Sequence, residues 1–451
     1  MRPLLLASLV LGLGACEKTT NPKVEPSNTP ASSVSSAPPP ASASELASAP
    51  PSTPPSTAPT SQTPGVAATM PSPTEIKPHA TGSNTFAIDL YARTAKAPGN
   101  QVFSPASMSI ALAMTWAGAK GETAAQMKKV MHFEAGGTAM WGRISQALNA
   151  PGRPFELRSA NRLFGEKTYK FEQPFLDGTK ASFGAPLESV DFKVGYEAAR
   201  GKINTWVEQQ TKERIKDLLP KGALDELTRL VLVNAIYFLA DWADPFEKNA
   251  TFDADFEGPT KKKVPTMHRS GSYAIAQIDQ LKVLELPYGG SDISMLVVLP
   301  DSKTGLGAVE KSLTAAKLEA WTKALAPNRV DVALPRFEVS PPSMPLADEL
   351  QAMGMPLAFD RKKADFTLMG NPPNPDEHLC IQKVFHKAFV KVDEKGTEAA
   401  AATAVVMGAK GGGAPQKAIE FRADHPFLFF IVDKPSGLVL FMGRVVDPAA
   451  K

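Results

Sequence analysis

The stretch from residue 391 to residue 407 constrains the fold more than any other part of the chain, because its side chains are too small to form a core by themselves. Its small residues include Gly396, Thr397, Ala399, Ala400, Ala401, Ala402 and Thr403. Read with a period of two, the odd-numbered positions from 397 to 407 share one face, and Glu398 lies on the other. Such a segment can enter a tightly packed sheet without clashes. Its alanine content favours a helix, whereas Thr-Ala-Val-Val at 403–406 favours a strand, and both interpretations stay open at this point.

An irregular segment follows directly. Residues 408–415 read Gly-Ala-Lys-Gly-Gly-Gly-Ala-Pro, and no regular element tolerates so much glycine followed by proline. The segment carries one basic residue, Lys410. The sequence therefore predicts a small-residue segment that leads into an exposed loop with a single cationic side chain.

This combination resembles the reactive-centre loop hinge of the serpins, the family of suicide inhibitors of serine proteases. The family pattern is Glu, a variable residue, Gly, Thr or Ser, a variable residue, several small residues and Thr, and it matches residues 394–403. Further motifs follow the order of the family over roughly residues 84–448. They are N-Q-V-F-S-P-A-S-M-S-I-A-L-A-M at 100–114, G-A-K-G-E-T at 118–123, L-V-N-A-I-Y-F-L-A-D-W-A-D-P-F at 232–246, F-R-A-D-H-P-F-L-F-F-I at 421–431 and L-F-M-G-R-V-V-D-P at 440–448.

The hydrophobic pattern favours a mixed fold. Helical spacing predicts helices over residues 105–116 and 198–210, the first opened by Ser104-Pro105. Short apolar runs predict strands at 231–238, 284–286, 295–299, 330–334, 389–392, 428–432 and 438–442. Helices and strands without strict alternation indicate an α+β protein. The resemblance implies the serpin fold, with three β-sheets, about nine helices, an exposed reactive-centre loop and a central sheet that opens to accept that loop.

The first residues are typical of an export signal. Arg2 precedes an apolar stretch, residues 4–13, that is too short to span a membrane, and Leu-Gly-Ala-Cys follows at 13–16. This ending is similar to a bacterial lipoprotein signal, which implies a signal peptide over residues 1–15 and lipid attachment to Cys16. A simple signal peptide with an incidental cysteine is the alternative. The expected location is the cell envelope, on a bacterial membrane such as the outer membrane, or the extracellular space.

Residues 16–80 consist largely of Pro, Ser, Thr and Ala, and no aromatic residue precedes Phe86. Such a composition cannot bury enough apolar surface to offset the entropy that is lost on ordering. We therefore expect a disordered tether over 16–80, which carries the lipidated Cys16, and a single folded domain over 81–451. The length of that domain matches a whole serpin.

Composition and motifs exclude several other classes of function. The formal net charge of +3 over 451 residues gives no indication of a nucleic-acid partner. The six histidines include no pair at the helical spacing of a zinc site, and the chain contains no Gly-x-Ser-x-Gly elbow and no phosphate-binding glycine loop. We expect no enzymatic activity, no metal and no cofactor. Once Cys16 is lipidated, Cys380 has no partner for an intrachain disulfide.

Several polar residues lie in apolar surroundings, where the plain interpretation is a local hydrogen bond. The resemblance implies that four of them form the hydrogen-bonded shutter beneath the central strands, namely Ser104, Ser107, Asn234 and His386. It also implies that Trp242 lies at the breach, where the loop first enters, and a plain core tryptophan is compatible with this. Glu394 is expected to pair with Arg336 there. The chain departs from the family at Phe-Leu-Ala, residues 238–240, where Phe-Lys-Gly is usual.

Counted from Glu394 as in the family, the seventeenth residue is Lys410, so the resemblance implies a scissile bond between Lys410 and Gly411. A lysine there suits a trypsin-like protease with an acidic specificity pocket. Cleavage at Met407–Gly408 or after Lys417 stays open, because the loop is longer than usual. The expected function is suicide inhibition of a trypsin-like serine protease by a monomer, with a covalent complex and insertion of the loop into the central sheet. A surface-anchored binding serpin that is not productively cleaved and an inhibitor of cysteine proteases are the alternatives.

Overall fold

The described part of the chain is built from nine α-helices and sixteen strands. The computed structural model describes residues 71–184, 187–397 and 417–450. The helices are α1 (Pro73–Thr94), α2 (Pro105–Trp116), α3 (Gly121–Met131), α4 (Gly137–Leu148), α5 (Gln173–Phe183), α6 (Tyr196–Gln210), α7 (Leu306–Ser312), α8 (Ala315–Lys323) and α9 (Ala347–Met353). The strands are β1 (Gln101–Phe103), β2 (Glu156–Glu166), β3 (Glu188–Val190), β4 (Leu230–Asp241), β5 (Thr251–Glu257), β6 (Lys261–Ile278), β7 (Leu281–Pro287), β8 (Ile293–Pro300), β9 (Ala326–Pro335), β10 (Phe337–Val339), β11 (Met344–Pro345), β12 (Val384–Val392), β13 (Gly396–Thr397), β14 (Ile419–Arg422), β15 (Phe427–Asp433) and β16 (Leu438–Val445). Short 3-10 helices lie at Lys248–Ala250, Pro356–Phe359 and Pro375–Glu377.

These elements confirm the predicted α+β class and the individual segments read from the hydrophobic pattern. The helix predicted to open at Ser104-Pro105 is α2, and the Ser104 hydroxyl caps its first turn by accepting the Ser107 N–H. The helix predicted over 198–210 is α6. Every predicted strand lies within an observed one.

The strands form three sheets, two of which share one long strand. The central sheet has the order β10-β12-β13-β4-β2-β3, and β11 also pairs with β12. The other strands pair in the order β1-β16-β15-β8-β7-β6-β9-β14, and β5 also pairs with β6. Residues 261–267 of β6 pair with β5 and residues 266–275 with β9, whereas residues 274–278 pair with β7. Strand β6 therefore belongs to two sheets, and the prediction of three sheets is confirmed.

The central sheet is closed at one end and parted at the other. Strands β12 and β4 are parallel neighbours over residues 384–389 and 232–237. Beyond that level β13 lies between them, with Thr397 opposite Val392 of β12 and opposite Ala240 of β4. The two strands therefore make room for the first residues of an additional strand. Residues 398–416, which include the predicted exposed loop, lie outside the described residues.

Apolar side chains cover both faces of the central sheet. Leu232 and Ile236 of β4 belong to the main core cluster, together with the apolar residues of α2. Val233 and Tyr237 point to the opposite face, where they pack with residues of α6 and of the following segment, 211–228. Burial on both faces explains why β4 is a continuous apolar run and does not alternate with polar residues.

Helix α1 begins inside the stretch that the sequence assigns to the tether. The Ser72 hydroxyl accepts the Glu75 N–H at 3.3 Å, and the Glu75 carboxylate accepts the Ser72 N–H at 2.9 Å, which is a capping box. Ile76 and Ala80 are 1% exposed and belong to the core. The folded domain therefore starts by residue 72, which corrects the predicted boundary between residues 80 and 81. Capping and burial outweigh the Pro/Ser/Thr-rich composition at this point.

The predicted signal peptide, Cys16 and the tether up to residue 70 lie outside the described residues. The signal peptide, the lipid on Cys16 and the disordered tether therefore stay predictions. Over residues 71–184, 187–397 and 417–450, none of the helices combines the length and the apolar character needed to cross a membrane.

Candidate functional site

A tight turn over residues 393–396 leads from β12 into β13 and brings the hinge into the sheet. The Asp393 N–H donates to the Gly396 carbonyl oxygen at 2.9 Å, and the Lys395 N–H donates to Asp393 Oδ1 at 2.9 Å. Gly396 lies directly against β4, so that a Cβ atom on it would be 2.0 Å from the Ala240 carbonyl oxygen. This close approach requires glycine at position 396.

Trp242 holds the turn through both of its N–H groups. Its backbone N–H donates to the Lys395 carbonyl oxygen at 2.7 Å, and its indole Nε1–H donates to the Asp393 carbonyl oxygen at 3.0 Å. Its ring stacks on Tyr288, with centroids 4.5 Å apart and planes at 10°. The structure therefore places Trp242 in the core and against the turn at the same time.

Glu394, in the middle of the turn, makes the ion pair with Arg336 that the sequence analysis expects. Arg336 donates from both Nε and Nη2 to Glu394 Oε1, with a Nε–Oε1 distance of 2.7 Å. The Thr251 hydroxyl donates to the same oxygen at 2.6 Å, a contact that the sequence analysis does not anticipate. Burial acts to raise the pKa of Glu394, but the hydrogen bonds from Arg336 and Thr251 outweigh it, and the pKa is lowered. The carboxylate therefore stays charged although it is buried.

Thr397 is the first hinge residue whose side chain enters the sheet, and it is fully buried. Its Oγ1 lies 2.6 Å from Tyr288 Oη, within hydrogen-bonding distance. Burial raises the pKa of Tyr288, so the phenol keeps its proton. Tyr288 was not found from the sequence, because it lies 109 residues from Thr397 and outside every motif of the loop.

A second polar group lies where β12 and β4 are still paired, with His386 opposite Asn234. The Ser104 N–H donates to His386 Nε2 at 3.0 Å, and the Ser104 hydroxyl donates to the Leu440 carbonyl oxygen at 2.6 Å. The Asn234 amide donates to the Ser107 carbonyl oxygen at 2.9 Å and to Ser107 Oγ at 2.7 Å. The structure thus brings together the four residues assigned to the shutter, and each is at most 1% exposed.

His386 connects α2 to β4 as a neutral ring. Because Nε2 accepts the Ser104 N–H, the ring proton is on Nδ1, which donates to Asn234 Oδ1. Burial lowers the pKa of His386 to about 3. Asn161 of β2, which the sequence analysis does not single out, accepts from the amide of Asn234, its cross-strand partner. The network joins β2, β4 and β12 of the central sheet to α2. A strand inserted between β12 and β4 at this level must disrupt it.

Part of the predicted site lies outside the described residues. This applies to Cys16, Ala399, Ala400, Ala401, Ala402, Thr403, Met407, Gly408, Lys410 and Gly411. Lys417, the last candidate cleavage position, is described and exposed, and it lies two residues before β14. Within the three described ranges, no three His, Cys, Asp or Glu side chains are close enough together to hold a metal ion.

Comparison with known proteins decides the family. The sequence profile described as "Serpin (serine protease inhibitor)" matches residues 81–448. The chain belongs to the serpin family. In this serpin the turn over residues 393–396 leads Gly396 and Thr397 into the parted end of the central sheet.

Relatives and solved structures agree with this assignment along the whole domain. The leukocyte elastase inhibitor of Equus caballus is 43% identical over 383 residues, which are 82% of this serpin and 99% of that protein. The structure of uncleaved ovalbumin has a TM-score of 0.75 at 31% identity and covers 82% of this serpin and 99% of that chain. Human thyroxine-binding globulin, solved as a complex with thyroxine, has a TM-score of 0.74 at 30% identity. The match covers 83% of this serpin and 100% of that chain. The predicted serpin fold is confirmed.

Proposed function

We propose that this serpin is a suicide inhibitor of a serine protease and has no catalytic activity of its own. The observation that carries the proposal is the residue pair already seated at the parted end of the central sheet. Gly396 and Thr397 pair with β4, and Thr397 also pairs with β12. A strand that has begun to enter can continue by adding pairs on both sides. The residues that follow, 399–403, are alanines and one threonine, which fit between packed strands.

The proposed reaction starts as ordinary acyl transfer. The serine hydroxyl oxygen of the protease attacks the carbonyl carbon of the bait residue, and the peptide bond to the next residue breaks. The catalytic histidine takes the serine proton and gives it to the leaving amine. An ester then joins the protease to the N-terminal part of the serpin. Attack of water on this ester would release both proteins.

Insertion of the hinge competes with that attack of water. Cleavage frees the hinge from β14, because the bait bond lies between β13 and β14 in the chain. The freed segment extends β13 between β12 and β4, which is strand addition within one molecule. Each added residue makes ladder hydrogen bonds to the flanking strands. The protease is carried along by the ester, and distortion of its active site prevents hydrolysis.

We place the scissile bond between Lys410 and Gly411 and the target among trypsin-like proteases, whose acidic pocket binds lysine. An elastase-like protease that cuts Met407–Gly408 is the second candidate target. It is favoured by the relative from Equus caballus, which is named for inhibition of leukocyte elastase. Elastases have a small specificity pocket that does not suit lysine, so the two candidates predict different bonds.

Incubation of the full chain with trypsin and, separately, with leukocyte elastase tests the proposal. A denaturing gel shows whether a covalent adduct forms, and mass spectrometry of the released C-terminal fragment identifies its first residue. We expect a trypsin adduct and a fragment that begins at Gly411. A fragment that begins at Gly408 assigns the bond to Met407–Gly408, and one that begins at Ala418 assigns it to Lys417.

The two lysines provide a matched pair of variants. Lys410→Ala is expected to abolish the adduct with trypsin, whereas Lys417→Ala leaves the adduct intact. Complete cleavage with no adduct and with fully active protease would contradict suicide inhibition.

A binding function without productive cleavage is the second class of function that we consider. It is favoured by the similarity to thyroxine-binding globulin, which is solved in complex with thyroxine. The same gel separates it from inhibition, since a binding serpin yields a cut chain and free protease. Inhibition of a cysteine protease would give a thioester in place of the ester, and incubation with a papain-like protease tests it.

We further propose that this serpin is a monomer held by a lipid on Cys16 at a bacterial membrane of the cell envelope, such as the outer membrane. The proposal rests on Leu-Gly-Ala-Cys at residues 13–16. Incorporation of labelled palmitate by the exporting cell tests it. Cys16→Ala is expected to remove the label, whereas Cys380→Ala keeps it. An unlabelled protein in the extracellular space would support the simple signal peptide.

A further inference from the structure

The seated hinge residue is matched to one buried partner. Thr397 is 0% exposed, and its hydroxyl lies 2.6 Å from that of Tyr288. Within the described ranges, Tyr288 Oη forms its hydrogen bond with Thr397, and Tyr288 is itself 0% exposed. Two buried hydroxyl groups therefore satisfy each other, and either one alone would be buried without a partner.

The ring of Tyr288 is held by contacts with residues outside the hinge. It stacks on Trp242 at 4.5 Å and meets the edge of Phe238 at 5.1 Å and 74°. Its backbone N–H donates to the Ile293 carbonyl oxygen at 3.0 Å, where β8 begins. These contacts come from β4, from Trp242 directly after it and from the start of β8, and none of them is made by a hinge residue. They hold the Tyr288 hydroxyl 2.6 Å from that of Thr397, which lies between β12 and β4.

We infer that Tyr288 is a positioning residue that seats Thr397 and so primes insertion of the hinge strand. The inference rests on the proposed function as an inhibitor, because it concerns the first step of that insertion. Ordering the first residues of a new strand costs conformational entropy before the ladder repays it. With Thr397 seated, the intact serpin has already met this cost. Insertion after cleavage then starts from Thr397 already paired with β4 and β12. It can therefore be faster than hydrolysis of the ester.

The inference also specifies what position 397 must carry. The turn 393–396 and the close contact of Gly396 with Ala240 direct residue 397 toward the gap, and the hydrogen bond to Tyr288 holds its side chain there. Only a hydroxyl at 397 gives the buried phenol a partner. If Tyr288 acts only through packing, a different result is expected. Phenylalanine at position 288 keeps the stack on Trp242, so Tyr288→Phe would then change neither exchange nor serpin consumption.

A double-mutant cycle on the full chain separates the two roles. The variants are Tyr288→Phe, Thr397→Val and the double variant, with Tyr273→Phe, a buried tyrosine of another sheet, as the matched control. Hydrogen–deuterium exchange over residues 394–397 reports seating. The number of serpin molecules consumed per trapped protease reports how often insertion wins over hydrolysis.

Each single variant leaves one hydroxyl buried without a partner. We expect exchange at residues 396–397 to speed up about tenfold in both, and more serpin to be consumed per trapped protease. The double variant removes both hydroxyl groups and is expected to return toward wild type in both measurements. The Tyr273→Phe control is expected to change neither.

Two results would overturn the inference. One is a Tyr288→Phe variant that equals wild type in exchange and in serpin consumption. The other is a double variant in which the effects of the single changes simply add. If the wild-type chain forms no adduct, the proposed function fails, but exchange over residues 394–397 still decides whether Tyr288 seats the hinge.

Discussion

At the scale of single residues, His386 is the buried group whose protonation bears most directly on the central sheet. Its Nε2 accepts the Ser104 N–H, so this nitrogen cannot bind a proton without losing its partner. Burial lowers the pKa of His386 from 6.5 to about 3. The neutral ring is therefore a condition for the network that joins β12, β4 and α2.

We predict that acid weakens the native state through His386. At pH values between its native pKa of about 3 and its ordinary pKa of 6.5, the unfolded chain binds a proton at this residue and the native chain does not. The free energy of unfolding therefore falls as the pH drops through this window, by up to about 1.4 kcal/mol per pH unit for this one site. Midpoints of urea unfolding measured at neutral pH and in the acid part of the window check the direction.

Two variants test whether His386 is the group that causes the loss of stability in acid. His386→Gln is expected to be less stable than wild type at neutral pH but to lose less stability on acidification, since the titrating ring is gone. His378→Gln, at a histidine outside the network, is expected to keep the full response. Equal acid responses in His386→Gln and in wild type would show that other groups are responsible.

At the scale of elements, the turn between β12 and β13 depends on an ion pair of unequal exposure. The Glu394 side chain is 5% exposed, whereas that of Arg336 is 43% exposed. Removal of the arginine leaves a buried carboxylate that keeps the Thr251 hydroxyl and loses its counter-charge. Removal of both charges leaves no buried carboxylate without a counter-charge. The turn is therefore more sensitive to loss of Arg336 alone than to loss of the pair.

Arg336→Ala is predicted to loosen the turn by about 2 kcal/mol, less than for a fully buried pair because Arg336 is partly exposed. A loosened turn lets the parted strands accept the hinge of a second molecule, and we expect polymers. Size-exclusion chromatography after gentle heating measures them.

Companion variants at the same site rank the expected effects. Arg336→Lys keeps the charge but loses the two-pronged contact, so it should fall between wild type and Arg336→Ala. Combining Arg336→Ala with Glu394→Gln should reduce the amount of polymer. An Arg336→Ala protein that stays monomeric under heating would contradict the role given to this pair.

At the scale of the whole molecule, strands β4 and β12 separate at one end of the central sheet and hold β13 between them. Strands β12 and β4 are direct neighbours over residues 384–389 and 232–237, but they already hold Thr397 between them above that level. Extending β13 between these strands adds ladder hydrogen bonds on two sides. The intact protein is therefore expected to be less stable than the cleaved one.

Cleavage within residues 398–416 is predicted to raise the melting temperature by roughly 10–15 °C, if some ten added ladder bonds each contribute about 1 kcal/mol. Circular dichroism of the intact and the nicked protein measures the difference. Ala401→Arg puts a charge on the face that turns inward and should suppress the rise, whereas Ala400→Arg, on the opposite face, should preserve it. A nicked wild-type protein that melts with the intact one would rule out insertion.

The sequence by itself determined the elements and the composition of the hinge. The period of the apolar residues placed α2, α6, β4 and the other predicted strands, because each pattern reflects burial within one element. The family motifs pointed to Ser104, Ser107, Asn234 and His386, which the structure joins in one network. Small side chains at 396–403 are likewise a local property. The boundary between tether and folded domain was expected at residues 80–81, whereas α1 begins at Pro73, since a capping box at residues 72–75 is a weaker signal than the composition around it.

Only the tertiary structure decided which residues meet the hinge. Thr251 and Glu394 are 143 residues apart in the chain, and Tyr288 and Thr397 are 109 apart. Neither contact can be recognised from a pattern in the sequence. Both depend on the register of β13 between β12 and β4 and on the packing of one sheet against another. The same register makes residues 396–397 a strand, whereas the alanine-rich residues for which the sequence left helix and strand open lie outside the described residues. Local propensity cannot decide such a segment, since its conformation is set by the backbone groups of β12 and β4 that its own backbone must pair with.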